Sequence, residues 1–457
     1  MGFADTWLEA RQAAARHRTR TWQREIVKDC FVPRRPDDLI EQIVPRMDAT
    51  IVILTGNHLC NNPRVVKEAL TLSNAGYRVT VIGAWIDRGL KAQDLEMQKL
   101  LPFCFRPAID TTDNALLRLR LRASVKLGTI THRFARVESR SQLGYAYRGL
   151  RNASRQPANL YIAHSELGMD AAANLLRGGW PVGIDMEDWY SEDLLPEVRK
   201  SRPLRLLRNL EKELLTTGAH ATCASRAMSE ALMREFACPR PTVVYNAFPW
   251  SDRASIDGLF KDRRNRCVPS VHWFSQTVGH GRGLDDLIAA LPLLQHEAEI
   301  HLRGKPVSGF EDWLVDRVPE AWRRRITIHE LVSNSELLSR IAEHDIGFAG
   351  ETTLIRNRDL TVTNKILHYL LGGLAVVASD TAGQREVAEQ APGGVFLYPS
   401  GDAPALAARL DALLESAGAL RQAKAAALDA AARRFCWERQ QQALLESIGR
   451  ALGSPAR

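Results

Sequence analysis

No stretch of this sequence approaches the roughly 18 apolar residues that a bilayer-spanning helix requires; the longest candidates, such as Leu370 to Ala378, stop well short. A transmembrane protein is thereby excluded. Cysteine is sparse and scattered. The seven residues Cys30, Cys60, Cys104, Cys223, Cys238, Cys267 and Cys436 contain no Cys-x-x-Cys pair, which points to neither a disulfide framework nor a zinc site. The N-terminus lacks the charged-then-apolar order of a secretory leader and opens on Asp5, Glu9 and Arg-rich polar sequence, so a cytoplasmic location is expected.

The 457 residues are 45% hydrophobic and 25% charged, the balance of an ordinary globular chain with room for two domains of roughly 200 residues each. Disordered and fibrous classes are excluded. The net charge of +8 is unevenly placed. Between Asn114 and Gln156 stand ten basic residues (Arg118, Arg120, Arg122, Lys126, Arg133, Arg136, Arg140, Arg148, Arg151 and Arg155) against one acid, Glu138, so this segment carries +9 and the remainder is close to neutral. Its opening, Leu116-Leu-Arg-Leu-Arg-Leu-Arg-Ala-Ser-Val-Lys-Leu127, mixes apolar and cationic residues as an interfacial helix does. Contact with an anionic membrane and a plain solvated basic face are both open readings. Aromatic residues for base stacking are limited to Phe134, Tyr145 and Tyr147, with no nucleic-acid motif beside them, so no nucleic-acid partner is expected.

Residues 1–48 read as a polar, Arg-rich extension with Pro33, Pro36 and Pro45. Ala49-Thr-Ile-Val-Ile-Leu-Thr-Gly56 is then a short β-branched run ending in glycine, a buried strand by length and composition. Pro63 opens a helix, where a first-turn N–H is unpaired in any case, and Arg78-Val-Thr-Val-Ile-Gly83 is the next strand. The rhythm continues through strands at 160–164, 181–185, 219–224 and 242–246. Asn246-Ala-Phe-Pro-Trp250 and the polar stretch Asp252 to Asn265 interrupt it, and a second series follows: strands at 268–274, 299–304, 326–328, 345–349 and 374–379, with helices at 284–294, 335–343 and 363–371. Alternation of this kind gives parallel sheets with helices on both faces. The fold class is α/β, two doubly wound Rossmann-like domains at 49–246 and 247–435, with a last helix in 436–457. Ligands of such sheets lie beyond the carboxyl ends of the strands.

Two strand ends carry chemistry. Ser275-Gln-Thr-Val-Gly-His-Gly-Arg-Gly-Leu-Asp285 is a glycine-bearing loop entering a helix; backbone N–H groups and the fixed cation Arg282 suit a diphosphate, though glycines in such a turn also occur without a ligand. Gly350-Glu351 follows the strand at 345–349. The Glu351 carboxylate either accepts hydrogen bonds from two sugar hydroxyls or pairs with Arg356 or Arg358.

Taken together, Asn61-Asn-Pro-Arg-Val-Val-Lys-Glu-Ala69 with Ala75-Gly-Tyr-Arg-Val79, Asp185-Met-Glu-Asp188, Ala224-Ser-Arg-Ala227, Tyr245-Asn-Ala-Phe-Pro249, Gly281-Arg-Gly-Leu-Asp285, Asp345-Ile-Gly347, Asn364-Lys365 with Tyr369, and Cys436-Trp-Glu-Arg-Gln440 resemble, in order and spacing from about Ile51 to Leu452, the family 4 type of retaining glycosyltransferases with the GT-B fold, close to the branch acting in bacterial polysaccharide and lipopolysaccharide assembly. The resemblance implies two domains facing a central cleft, the last helix packing back toward the N-terminal domain, a nucleoside diphosphate sugar held by the C-terminal domain, and a saccharide or lipid-linked acceptor on the N-terminal one. It implies no cofactor and no metal, in keeping with the absence of an Asp-x-Asp motif from the C-terminal half.

By the same resemblance Arg282, between Gly281 and Gly283, lies against the donor diphosphate, with Gln276 where many members have arginine. Glu351 stands as the first glutamate of the Glu-x7-Glu motif. The second falls on Asp359 by count or on His368 by the pattern of the helix before Gly372-Gly-Leu-Ala-Val-Val377, with Asn364 and Lys365 as further donor contacts. Asp185-Met-Glu187-Asp188 resembles an Asp-x-His-Glu element with Glu187 at the histidine position; neighbouring carboxylates tend to raise one pKa, which suits proton transfer with an acceptor hydroxyl, while the plainer alternative is a helix cap and a surface acid. His164, Asn61 and Arg64 complete the acceptor side, Arg64 either reaching an acceptor phosphate or bracing Glu68 one turn on. A nucleotide-sugar epimerase and a degenerate, non-catalytic binding subunit are the competing classes.

Overall fold

The computed structural model describes residues 49–144, 147–194, 199–263 and 267–453; the expected extension at 1–48 lies outside them. Thirteen strands are assigned among the described residues: β1 (Thr50–Leu54), β2 (Arg78–Trp85), β3 (Cys104–Asp110), β4 (Leu160–Ala163), β5 (Val182–Met186), β6 (His220–Cys223), β7 (Thr242–Val243), β8 (Ser270–Val278), β9 (Glu299–Pro306), β10 (Ile326–His329), β11 (Ile346–Ala349), β12 (Ala375–Ser379) and β13 (Val395–Tyr398). They form two parallel sheets with helices between successive strands, in the orders β3-β2-β1-β4-β5-β6-β7 and β10-β9-β8-β11-β12-β13. This is the α/β architecture expected from the alternation.

Two strands escaped the sequence reading. β3 carries Pro107, and it lies at a sheet edge, where a missing N–H breaks no ladder. β13 is the other sheet's edge and buries only its two end residues. A third difference concerns β8, which continues to Val278 rather than ending at Phe274, with its register to β9 shifted between Phe274 and Thr277. Gln276 therefore stands on an irregular strand end and not in the glycine loop.

Of the described residues, 49–125, 143–183 and 445–453 form one compact unit, and 126–142 with 184–444 form the other. In the first, Ile51, Val52, Ile53 and Leu54 of β1 are inaccessible to solvent, and the helix Pro63–Asn74 buries Val65, Val66, Ala69 and Leu72. In the second, strand alternation sorts side chains into two cores. Ala375 and Val377 of β12 join Trp273, Leu302 and Phe348, whereas Val376 and Ala378 join Ile366, Tyr369, Leu370 and Phe435. A sheet buried on both faces reads as a continuous apolar run, which is why β12 is plain in the sequence.

The second unit also buries a histidine cluster. His272 on β8 sits opposite His301 on β9; His301 Nδ1 is 2.9 Å from His329 Nε2, and His344 stacks on His272 with ring centroids 4.4 Å apart. Burial, aided by Arg263, pushes His301 down to about 4; burial also brings His329 to about 4 and holds His272 and His344 well below the ordinary histidine value. The folded cluster is thus neutral near pH 7, while the unfolded chain takes up protons below about pH 6.5. His301 and His329 therefore each contribute stability above that pH that is lost as pH falls toward about 4. For His301→Gln, the destabilisation relative to wild type in urea is expected to be smaller at pH 5.5 than at pH 7.5 by about 1 kcal/mol; a pH-independent difference would count against this coupling.

Candidate functional site

In the six-stranded sheet the chain runs outward one way from β8 through β9 and β10 and the other way from β11 through β12 and β13. The carboxyl ends of β8 and β11 flank that switch point, where a crevice opens in sheets of this kind. The two loops meet there at backbone distance. Gly283 has φ +76°, and a Cβ on it would lie 2.5 Å from Gly350 Cα, so glycine is required both by conformation and by space. Gly281, at φ +82°, makes the turn that projects Arg282. Arg282 Nη1 donates to Ser275 Oγ at 3.1 Å, and its carbonyl accepts from Trp273 Nε1 at 3.3 Å. The helix that follows, Leu284–Ala290, is shorter than expected because Pro292 tightens Leu291–Leu293 into a 3-10 turn.

Beyond β11, the Glu351 N–H donates to Ser379 Oγ at 2.7 Å and Ser400 Oγ donates to the Glu351 carbonyl at 3.0 Å. Its Oε1 pairs with Lys365 Nζ at 2.9 Å, both side chains being buried. Its Oε2 is buried too and has no hydrogen-bond partner among the described residues, which leaves an acceptor available for a ligand. Burial pulls the Lys365 ammonium below the usual lysine range, the Glu351 carboxylate pulls it back up, and Arg282 and Arg358 push it down further.

These groups border a cavity of about 310 Å³, lined by Glu187, Asp188, Asp193, Arg282, Glu351, Asn357 and Arg358 among others. Asn357 organises one wall. Its Nδ2 donates to Asp188 Oδ1 (2.8 Å) and Asp193 Oδ1 (2.7 Å), and its Oδ1 accepts from the Trp189 N–H (2.8 Å) and Thr361 Oγ1 (3.1 Å). Asn246 organises another, its Nδ2 donating to Glu187 Oε1 at 2.9 Å and Asn364 Oδ1 at 3.2 Å. Arg358 Nη1 donates to the Gly281 carbonyl at 3.2 Å. Burial raises the Asp193 carboxyl above its usual range, against the Asn357 hydrogen bond and the charges of Arg358 and Arg282. Among the described residues of this unit, no three His, Cys or carboxylate side chains converge closely enough to share an ion.

Of the residues singled out in the sequence, Arg282, Glu351, Glu187, Asp188 and Asn364 come together at this cavity, and Lys365 reaches it through Glu351. Two others are held elsewhere. Asp359 accepts the Ala382 N–H at 3.0 Å, starting the helix Ala382–Gln390. His368 stacks on Phe248 with ring centroids 3.5 Å apart and meets Phe274 edge-on. Neither lines the cavity, and Gln276 is exposed outside it. In the first unit, Asn61 is exposed, Arg64 is buried, and His164 Nε2 lies 2.5 Å from Glu68 Oε2. Asp193, Asn357 and Asn246 were not assigned roles from sequence, and Arg358 entered only as a partner for Glu351.

Residues 269–416, which supply Arg282, Glu351, Asn357, Arg358 and Lys365, match the family model described as Glycosyl transferases group 1. No curated protein matches this sequence. Among solved structures the chain is similar to HepE of Anabaena in complex with UDP, at 17% identity over 87% of this chain and 99% of that one, with a TM-score of 0.61. It is similar to the UDP-forming α,α-trehalose-phosphate synthase of Burkholderia xenovorans at 14% identity over 89% and 99%, TM-score 0.63. It is likewise similar to sucrose-phosphate synthase of Thermosynechococcus elongatus at 13% identity over 87% and 98%, TM-score 0.60. The chain therefore has the GT-B fold, and the stretch that supplies both cavity arginines is similar to the group 1 glycosyl transferases.

Proposed function

We propose that the protein transfers a glycosyl group from a nucleoside diphosphate sugar to an acceptor hydroxyl. The observation that carries this reading is the placement of Arg282 and Arg358 on the same cavity as Glu351. As the anomeric C–O bond to the diphosphate breaks, negative charge grows on the leaving group, and fixed guanidinium groups stabilise it where it forms. Where the resemblance expects a second cation, Gln276 stands exposed; Arg358 supplies the charge instead. The free oxygen of Glu351 accepts from sugar hydroxyls, and the acceptor's proton passes to Glu187, held by Asn246, or to Asp188, held by Asn357. Retention at the anomeric carbon, kinship with family 4 and a place in bacterial polysaccharide or glycolipid assembly rest on the sequence resemblance. With two arginines facing the diphosphate, the proposal includes transfer without a divalent metal.

HepE is described in complexes with UDP and UDP-glucose, so UDP is the first nucleotide to try. Thermal unfolding with UDP, GDP, ADP, CMP and TDP in EDTA tests the reading. A diphosphate at 100 times its dissociation constant adds about 2.7 kcal/mol, which moves the midpoint by several degrees. A shift with UDP is expected; no shift with any nucleotide would remove the donor assignment, and a shift only with added divalent metal would remove the arginine clamp. Binding without transfer to any acceptor would mark a non-catalytic subunit, and conversion of a donor sugar without an acceptor an epimerase.

A further inference from the structure

The helix Ala115–Ala135 has 21 residues and buries only Gly128 and His132. Its inner side is anchored. A Cβ on Gly128 would lie 2.4 Å from Ser141 Oγ, so the following turn packs directly on the helix, and Glu138 just beyond accepts the N–H groups of Arg205 and Leu206. Leu121, Arg118 and Arg122 line a small cavity of about 80 Å³ with Ile86 and Thr111.

Its outer side is apolar and uncovered among the described residues. Leu116, Leu119, Leu127, Ile130 and Phe134 are 62%, 65%, 63%, 43% and 80% exposed. At 3.6 residues per turn these five positions fall within about 80° of arc, a single stripe about 27 Å long. Arg120 borders one edge of the stripe and Lys126, Arg133 and Arg122 the other, and the helix contains no acidic residue.

We propose that this helix lies in the interface of an anionic phospholipid bilayer, with the Leu116–Phe134 stripe among the acyl chains and the flanking arginines and Lys126 at the lipid phosphates. Charge decides between occupants. A second copy of the chain would set cationic edges against cationic edges with no carboxylate on either helix to pair them. A nucleic acid would engage the cations and leave five large apolar side chains in water, with Phe134 the one aromatic on the stripe. A bilayer surface of uniform negative charge over an apolar interior satisfies both features at once.

The test is sedimentation of the full chain with phosphatidylcholine vesicles, with and without phosphatidylglycerol. Binding is expected only with the anionic lipid, weaker by about tenfold or more for Leu119→Ser/Leu127→Ser/Phe134→Ser and equally for Arg120→Glu/Lys126→Glu/Arg133→Glu. All six side chains point outward, so the circular dichroism and the UDP-induced shift should match wild type, separating failure here from failure of the glycosyltransferase reading. Three results would overturn the proposal: no binding to anionic vesicles, loss only in the charge variant, or a lipid-free dimer that the serine variant dissociates.

Discussion

Arg282→Ala is expected to lower kcat by about 10²- to 10³-fold and to abolish the nucleotide-induced thermal shift. The guanidinium is fixed before any ligand arrives, by the Ser275 hydrogen bond and by a loop whose glycines stand at φ +82° and +76°. Preorganised charge acts mainly on the transition state, where the leaving diphosphate carries more charge than in the bound donor. The fall should therefore lie more in kcat than in KM. Arg282→Lys should recover part of it, since a point charge replaces the bidentate fork. Arg358→Ala should show the same kind of defect, and the double variant should lose less than the product of the two, because both cations address one leaving group. The unliganded midpoint should hardly move. Arg282 and Arg358 both press on the buried Lys365, so removing one relieves a repulsion as it loses a hydrogen bond. Steady-state kinetics on the four variants decide the matter; near-normal turnover in Arg282→Ala would end the diphosphate assignment.

The parts of this site that sequence made legible are those set by local rules. A glycine run after an apolar strand, an arginine within it, and a carboxylate immediately after another such strand can be recognised without knowing the fold, and Arg282 and Glu351 were. What was not legible depends on which segments fold together. Asn357 joins Asp188 and Asp193 across 169 and 164 residues of chain, and nothing in Ile355-Arg-Asn-Arg-Asp359 announces that. Neither candidate for the second glutamate lines the cavity. Asp359 lies on the short helix Arg356–Leu360, in a stretch that reads as an Asn/Arg loop, and accepts the Ala382 N–H, while His368, on the helix Asn364–Gly372, stacks on Phe248. The histidine cluster was hidden in the same way, since His272 meets His301 only through the β8–β9 register. For the helix Ala115–Ala135 the sequence left two readings of the charge, and what it did not display is that Leu116, Leu119, Leu127, Ile130 and Phe134 stand exposed along one side.

Lys365→Met is expected to destabilise the protein by about 3 kcal/mol, lowering the unfolding midpoint by on the order of 10 °C. The substitution keeps the aliphatic volume beside Trp273, whose ring centroid is 5.5 Å from Nζ, and so isolates the loss of charge. It leaves the Glu351 carboxylate buried, with Oε1 stripped of its 2.9 Å partner and Oε2 already without one among the described residues. Removing one member of a buried pair typically costs about 3–5 kcal/mol because the other charge stays desolvated. The lower end applies here, since Lys365 is itself crowded by Arg282 and Arg358, and its removal relieves that repulsion. Adding Glu351→Gln should return most of the lost stability, as a buried ion pair replaced at both ends is often neutral. It should not return turnover, because an amide is a weaker acceptor for sugar hydroxyls than a charged carboxylate. Urea unfolding and kinetics on the two single variants and the double measure both halves of the claim. A double variant as unstable as Lys365→Met would mean that lysine stabilises the site through contacts other than Glu351; a double variant with restored turnover would mean that the carboxylate does not touch the donor.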